Sequence, residues 1–248
     1  MTKDMKKYVF WTAALLLAAS CTSFQTATYE EEMAMPLREN SADSLFYSIS
    51  LEYVTGGVPK EACEQINNTI LTVVFGLEEA PGTVEETAIR YREDLIDEYL
   101  TENANAELPA GVLSWSDEIK GSFMDEWNHY KCYAINYTSF RGGAHGMYTI
   151  TSLVFNPKTG ALLTEADLFK EGYQEPVAQL MRENLRAALA DDQDALESIW
   201  WDNVVPNGNF WPDASGISWT FQPYDVAPYA LGALSADVSW EQLKPYLK

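Results

Sequence analysis

Apolar positions recur along this chain in two periods, and the switches between them lay out its elements. Leu45, Tyr47, Ile49, Leu51 and Tyr53 alternate with mostly polar residues, which predicts a strand with one buried face. Gly56-Gly57 ends it, and Pro59 stands where proline opens a helix. Cys63, Ile66, Ile70 and Val73 then repeat at spacings of three and four, the stripe of a helix closed by Gly76. Thr83 and Glu86 form a capping-box pattern before a second helix, whose inner face is Val84, Ala88, Tyr91, Leu95 and Tyr99. A polar loop covers 103–111. Strands are expected over 112–124, 130–140 and 147–156, with turns at 125–129 and 141–146.

Past the turn Pro157-Lys158-Thr159-Gly160, a third long helix is marked by Val177, Leu180, Met181, Leu185 and Leu189, with Pro176 near its start. Asp191, Asp192 and Asp194 read as the cap of a short helix through Trp200 rather than as metal ligands. A strand pair is expected at 209–211 and 217–222, with Ile217, Trp219 and Phe221 on one core-facing side. The segment 224–232, YDVAPYALG, is a proline-broken loop, and Ser239–Gln242 is a capping box for a short last helix. Helices alternating with antiparallel strands make the fold class α+β, antiparallel sheets with packed helices. Two successive small modules are expected, 44–143 and 144–248.

The N-terminus has a different character. Lys3, Lys6 and Lys7 precede an apolar run over 8–19, too short for the ~20 residues that span a membrane. It ends in Leu17-Ala18-Ala19-Ser20-Cys21, which resembles the lipobox of bacterial lipoproteins, with Ala18 where leucine is more usual. The expectation is a signal peptide over 1–21 and lipidation of Cys21. In Gram-negative lipoproteins a residue such as Thr22 after that Cys implies sorting to the outer membrane, so the expected location is the cell envelope. Residues 22–43, with Glu30-Glu31-Glu32 and few large apolar side chains, read as a mobile tether.

Charge narrows the partner class. The chain carries a formal charge of −21, and losing 1–21, with its three lysines and Asp4, makes it −23. Nucleic-acid binding, which draws its affinity from Lys and Arg on phosphates, is excluded. An anionic membrane would be repelled, leaving lipid as the anchor, whereas a cationic partner would be steered in. Cys63 and Cys132 remain as a pair once Cys21 is acylated; a disulfide and two buried thiols are both open.

No catalytic centre is legible. A zinc site needs convergent ligands, but His129 and His145 stand at opposite ends of an expected strand. Cys132, three residues from His129, falls on the other strand face. There is no G-x-S-x-G. His145 lies among Gly142, Gly143 and Gly146, which argues for a backbone-shaping loop rather than a general base. Carboxylates are too numerous to single out the protonated acid of a glycosidase. The expectation is a non-catalytic protein with neither cofactor nor metal.

One stretch carries a family resemblance. FRGGAHG, an alternating strand, N-P-K-T-G and T-x-x-D-L-F run in order from Phe140 to Phe169, and Tyr224–Gly232 adds a Tyr-x-x-Ala-Pro-Tyr-Ala segment. This resembles the extracytoplasmic domain of lysozyme-sensing anti-sigma factors, of some peptidoglycan deacetylases and of many bacterial lipoproteins. Residues 45–140 look like the companion module that often precedes it. The resemblance implies a recognition module that binds a basic lysozyme-like muramidase; the alternative is a cell-wall glycan-binding or envelope-maintenance lipoprotein. In the family the segments matching 141–146 and 222–229 help form the presented face. Arg141, Gly142, Gly143, His145, Pro223, Tyr224, Pro228 and Tyr229 are therefore the expected partner-binding residues. Trp211, on the opposite strand face from Phe210, joins them.

Overall fold

The structure is a computed structural model that describes residues 23–106, 109 and 111–248. The expected signal peptide over 1–21 and the expected lipidation site Cys21 lie outside the described residues. The chain divides into two compact units: unit 1 includes residues up to Ser122 plus Asn136–Met147, and unit 2 holds Phe123–Ile135 and Tyr148–Lys248. The two successive modules expected from sequence are thus interleaved. The cause is strand length: β3 (Trp115–Trp127) and β4 (Tyr130–Phe140) each run from one unit into the other.

In unit 1, β1 (Gln25–Pro36) pairs antiparallel with β2 (Ser44–Gly56), from Gln25↔Gly56 to Pro36↔Ser44. The segment read as a mobile tether is therefore mostly a sheet strand. Glu30 and Glu32 face solvent while Glu31, Met33 and Met35 are buried, so the acidic run conceals a period of two. Glu31 is tolerated inside because Arg92 pairs with it and the Tyr29 hydroxyl donates to it at 2.9 Å.

The α+β class expected from sequence holds, with one departure from antiparallel pairing: β2 and β3 pair in parallel, Leu45↔Trp115 to Leu51↔Gly121. Parallel neighbours need a long crossover, and α1 (Lys60–Phe75) with α2 (Val84–Glu102) supplies it, both packing on β2. Pro59 caps α1 and Gly76 ends it in the left-handed region at φ 64°. The α1 stripe is Ala62, Ile66, Ile70, Leu71 and Phe75; Val73 is exposed and Cys63 half-buried, a small rotation from the expected face. Thr83 and Glu86 complete their capping box on α2. The five-stranded sheet has the order β1-β2-β3-β4-β5, with β5 at Met147–Phe155.

Unit 2 continues with α3 (Glu165–Leu168), α4 (Gln174–Ala188) and α5 (Gln193–Ser198). A three-stranded antiparallel sheet follows, β6 (Phe210–Pro212), β7 (Gly216–Phe221) and β8 (Leu234–Ser239), and then α6 (Trp240–Leu243). Strand β8 has no counterpart in the sequence reading. The core joins Val177 and Met181 of α4 to Trp219 and Phe221 of β7 and Val238 of β8. Asp192 caps α5 by accepting from the Ala195 N–H at 2.9 Å. Among the described residues no helix is long and apolar enough to cross a membrane.

Candidate functional site

The loop after β7 in unit 2 is bound tightly to its scaffold. Gln222 uses its whole side-chain amide on β5, donating to the Ile150 carbonyl at 2.7 Å and accepting from the Ile150 N–H at 2.8 Å. Asn209 does the same one pleat along, donating to Ile150 O and accepting from Ser152 N–H, each at 2.8 Å. A turn closes when Gln222 N–H donates to the Asp225 carboxylate at 2.7 Å. Val226 and Ala227 are buried, and the Val226 carbonyl accepts from Trp200 N–H at 2.7 Å.

Tyr224 stands out on this frame. Its φ is 74°, a conformation that costs a bulky residue energy. Its side chain is 49% exposed. Its ring lies 5.7 Å from that of Tyr229, which in turn meets Tyr148 edge-on at 6.3 Å. Tyr229 opens a 3-10 turn that ends at Gly232. Gly232 has φ 71°, and an added Cβ there would lie 2.9 Å from the Tyr148 oxygen. Only glycine lets that hydroxyl approach and accept from the Ala233 N–H at 2.8 Å. Tyr148, Tyr224 and Tyr229 thus form a half-open aromatic face on a fixed backbone. Tyr148 escaped the sequence reading because strand alternation gives no hint of a contact 80 residues away.

The remaining expected partner-binding residues have other settings. Pro223 is buried and Pro228 exposed, while Trp211 is half-buried against the unit 2 core. Arg141 belongs to unit 1 and turns inward. Its guanidinium pairs through both terminal nitrogens with Asp117, which is 0% exposed, and lies 4.9 Å from the centre of the Trp115 ring. Tyr91 donates to the same carboxylate at 2.7 Å. Arg141 is therefore a packing residue of unit 1. Gly142 and Gly143 take positive φ, 84° and 94°, and His145 is exposed, its Nδ1 2.9 Å from the Gly146 carbonyl.

Among the described residues the cysteines, Cys63 and Cys132, are free thiols. Cys63 donates to the Val54 carbonyl at 3.2 Å in unit 1, and Cys132 is buried in the core of unit 2.

Carboxylates that depart from ordinary acidity do so by accepting local hydrogen bonds at helix starts and turns. Hydrogen bonds from Thr164 lower Asp167, and those from Ser215 lower Asp213. Glu165 has both oxygens engaged, by the Tyr173 hydroxyl at 2.7 Å, by Trp219 Nε1 at 2.7 Å and by Gly208 N–H at 3.0 Å. Among the described residues no group of three or more His, Cys, Asp or Glu is placed to hold a metal.

Comparison with known proteins places the fold. The chain resembles the crystal structure of a DUF3298 family member from Bacteroides fragilis NCTC 9343, with a TM-score of 0.82 at 22% identity over 92% of this chain and 94% of that one. It also resembles a DUF3298 family protein from Pseudomonas aeruginosa PAO1, with a TM-score of 0.67 at 15% identity over 91% and 95%. At such identities the likeness concerns the fold alone. No curated protein matches the chain. Residues 166–241, within unit 2, match the family model described as "Protein of unknown function (DUF3298)".

Proposed function

We propose that this chain is a non-catalytic recognition module of the bacterial cell envelope, lipid-anchored through Cys21, whose tyrosine face binds a basic muramidase. The observation that carries the reading is Tyr224: a large aromatic held at positive φ and half in solvent, on a loop whose polar side chains are spent fixing it in place. Pre-organised aromatics on a rigid frame lose little entropy on binding. The muramidase comes from the family resemblance and from charge, since a chain at −21 attracts a strongly basic protein.

The test is a kinetic binding measurement against a basic C-type lysozyme, with purified peptidoglycan as a parallel ligand. Tyr224→Ala is expected to cost about 1–2 kcal/mol of affinity. Added salt should slow association far more than it speeds dissociation, because the charge acts by steering. Binding to peptidoglycan alone, aromatic-dependent and insensitive to salt, would replace the muramidase with a glycan. Binding to neither would remove the recognition reading.

A further inference from the structure

A second surface of unit 2 combines indole rings with carboxylates and is independent of the tyrosine face. The end of β3 and the residue after it (Asp125, Glu126, Trp127, Asn128) and the turn between β6 and β7 (Asp213–Ser215) enclose, with Trp240 of α6, a cleft of about 800 Å³. No lysine, arginine or histidine lines it. Trp127 stacks on Trp240, with centroids 5.2 Å apart and planes at 13°, and on Tyr130 at 5.9 Å and 25°. All three rings are backed by the unit 2 core. Trp240 Nε1 donates to the Asp213 carbonyl at 2.8 Å, which sets the indole's orientation. The Asp213 carboxylate is fixed at the rim by the Ser215 N–H and hydroxyl, each at 2.6 Å.

We propose that this cleft binds an arginine or lysine side chain presented by a basic protein segment. A guanidinium asks for a flat aromatic surface for its face and carboxylate acceptors for its N–H edge, and this wall offers both. Of the three carboxylates of the lining, Glu126 is paired by Lys131 from outside it, and Asp125 and Asp213 remain to make the local field select positive charge. A neutral sugar could use the indoles, but would draw no electrostatic gain from the acids.

The experiment is an NMR titration of the purified protein, following the indole N–H resonances of Trp127 and Trp240. The probes are an acetylated, amidated Gly-Arg-Gly peptide, its citrulline counterpart and a chitin trisaccharide. The arginine peptide is expected to shift both indoles and to bind about tenfold more tightly than the citrulline peptide, which keeps shape but lacks charge. Asp125→Asn with Glu126→Gln, both exposed positions, should weaken the arginine peptide severalfold and leave the fold intact. Equal binding of the arginine and citrulline peptides would overturn the proposal. So would tighter binding of the trisaccharide, or no indole shift up to about 10 mM peptide. None of these outcomes depends on lysozyme binding, so the two readings fail separately.

Discussion

The loop at 141–146 in unit 1 and the loop at 222–232 in unit 2 treat their side chains in opposite ways. In the first, the long cation turns inward: Arg141 reaches a fully buried Asp117 and lies over Trp115. In the second, the amide of Gln222 and the carboxylate of Asp225 serve the backbone, and Tyr224 is left half in solvent. Arginine is ordinarily the side chain a surface shows and tyrosine the one it covers. Residue type therefore says little about which loop recognises a partner. Which groups are already engaged says much more: the charge of Arg141 is spent on Asp117, whereas the strained edge of Tyr224 is open to a partner.

The largest expected effect breaks the first loop. Arg141→Ala leaves the buried Asp117 with Tyr91 as its remaining side-chain donor, and urea unfolding should show a loss of about 3 kcal/mol. A loss within the scatter of surface substitutions would mean that Arg141 is free to serve a ligand after all.

A smaller effect of opposite sign sharpens the second loop. Glycine accepts φ 74° without strain, so Tyr224→Gly should raise stability by up to about 1 kcal/mol while weakening the proposed muramidase complex. A variant both less stable and fully binding would show that Tyr224 serves the fold rather than the partner.

The smallest effect contrasts the thiols of the two units. Burial pushes the Cys132 thiol up to about 11 from 9.0, and burial also raises Cys63, which remains partly accessible. At pH 8 an alkylating reagent should modify Cys63 slowly and Cys132 only after unfolding. The folded state favours the neutral Cys132 thiol, so its contribution is complete below pH 9 and is lost as pH rises toward 11. Unfolding midpoints should therefore fall more steeply over that range in the wild type than in Cys132→Ala.

Local signals were legible in the sequence, and relational ones were not. The capping boxes at Thr83 and Ser239, the helix end at Gly76 and the inward face of Ile217, Trp219 and Phe221 follow from residues a few positions apart. Strand β1 was obscured because its inward row includes Glu31, whose partner Arg92 lies on a helix 61 residues on. Strand β8 was obscured because Ser235, Asp237 and Ser239 dilute Ala236 and Val238, its buried pair. The parallel pairing of β2 and β3 depends on where two helices carry the chain. The inward turn of Arg141, the strain at Tyr224 and the stacking of Trp127 on Trp240 are meetings of distant segments, on which periodicity is silent.

The amides of Gln222 and Asn209 have one more consequence. Strand β5 is the last in its sheet, and an open last strand is a template on which a second chain can add. Here Ile150 N–H, Ile150 C=O and Ser152 N–H are already taken by side chains that imitate a neighbouring strand but cannot propagate one. The two amides end the ladder at this edge, where a second strand would otherwise add.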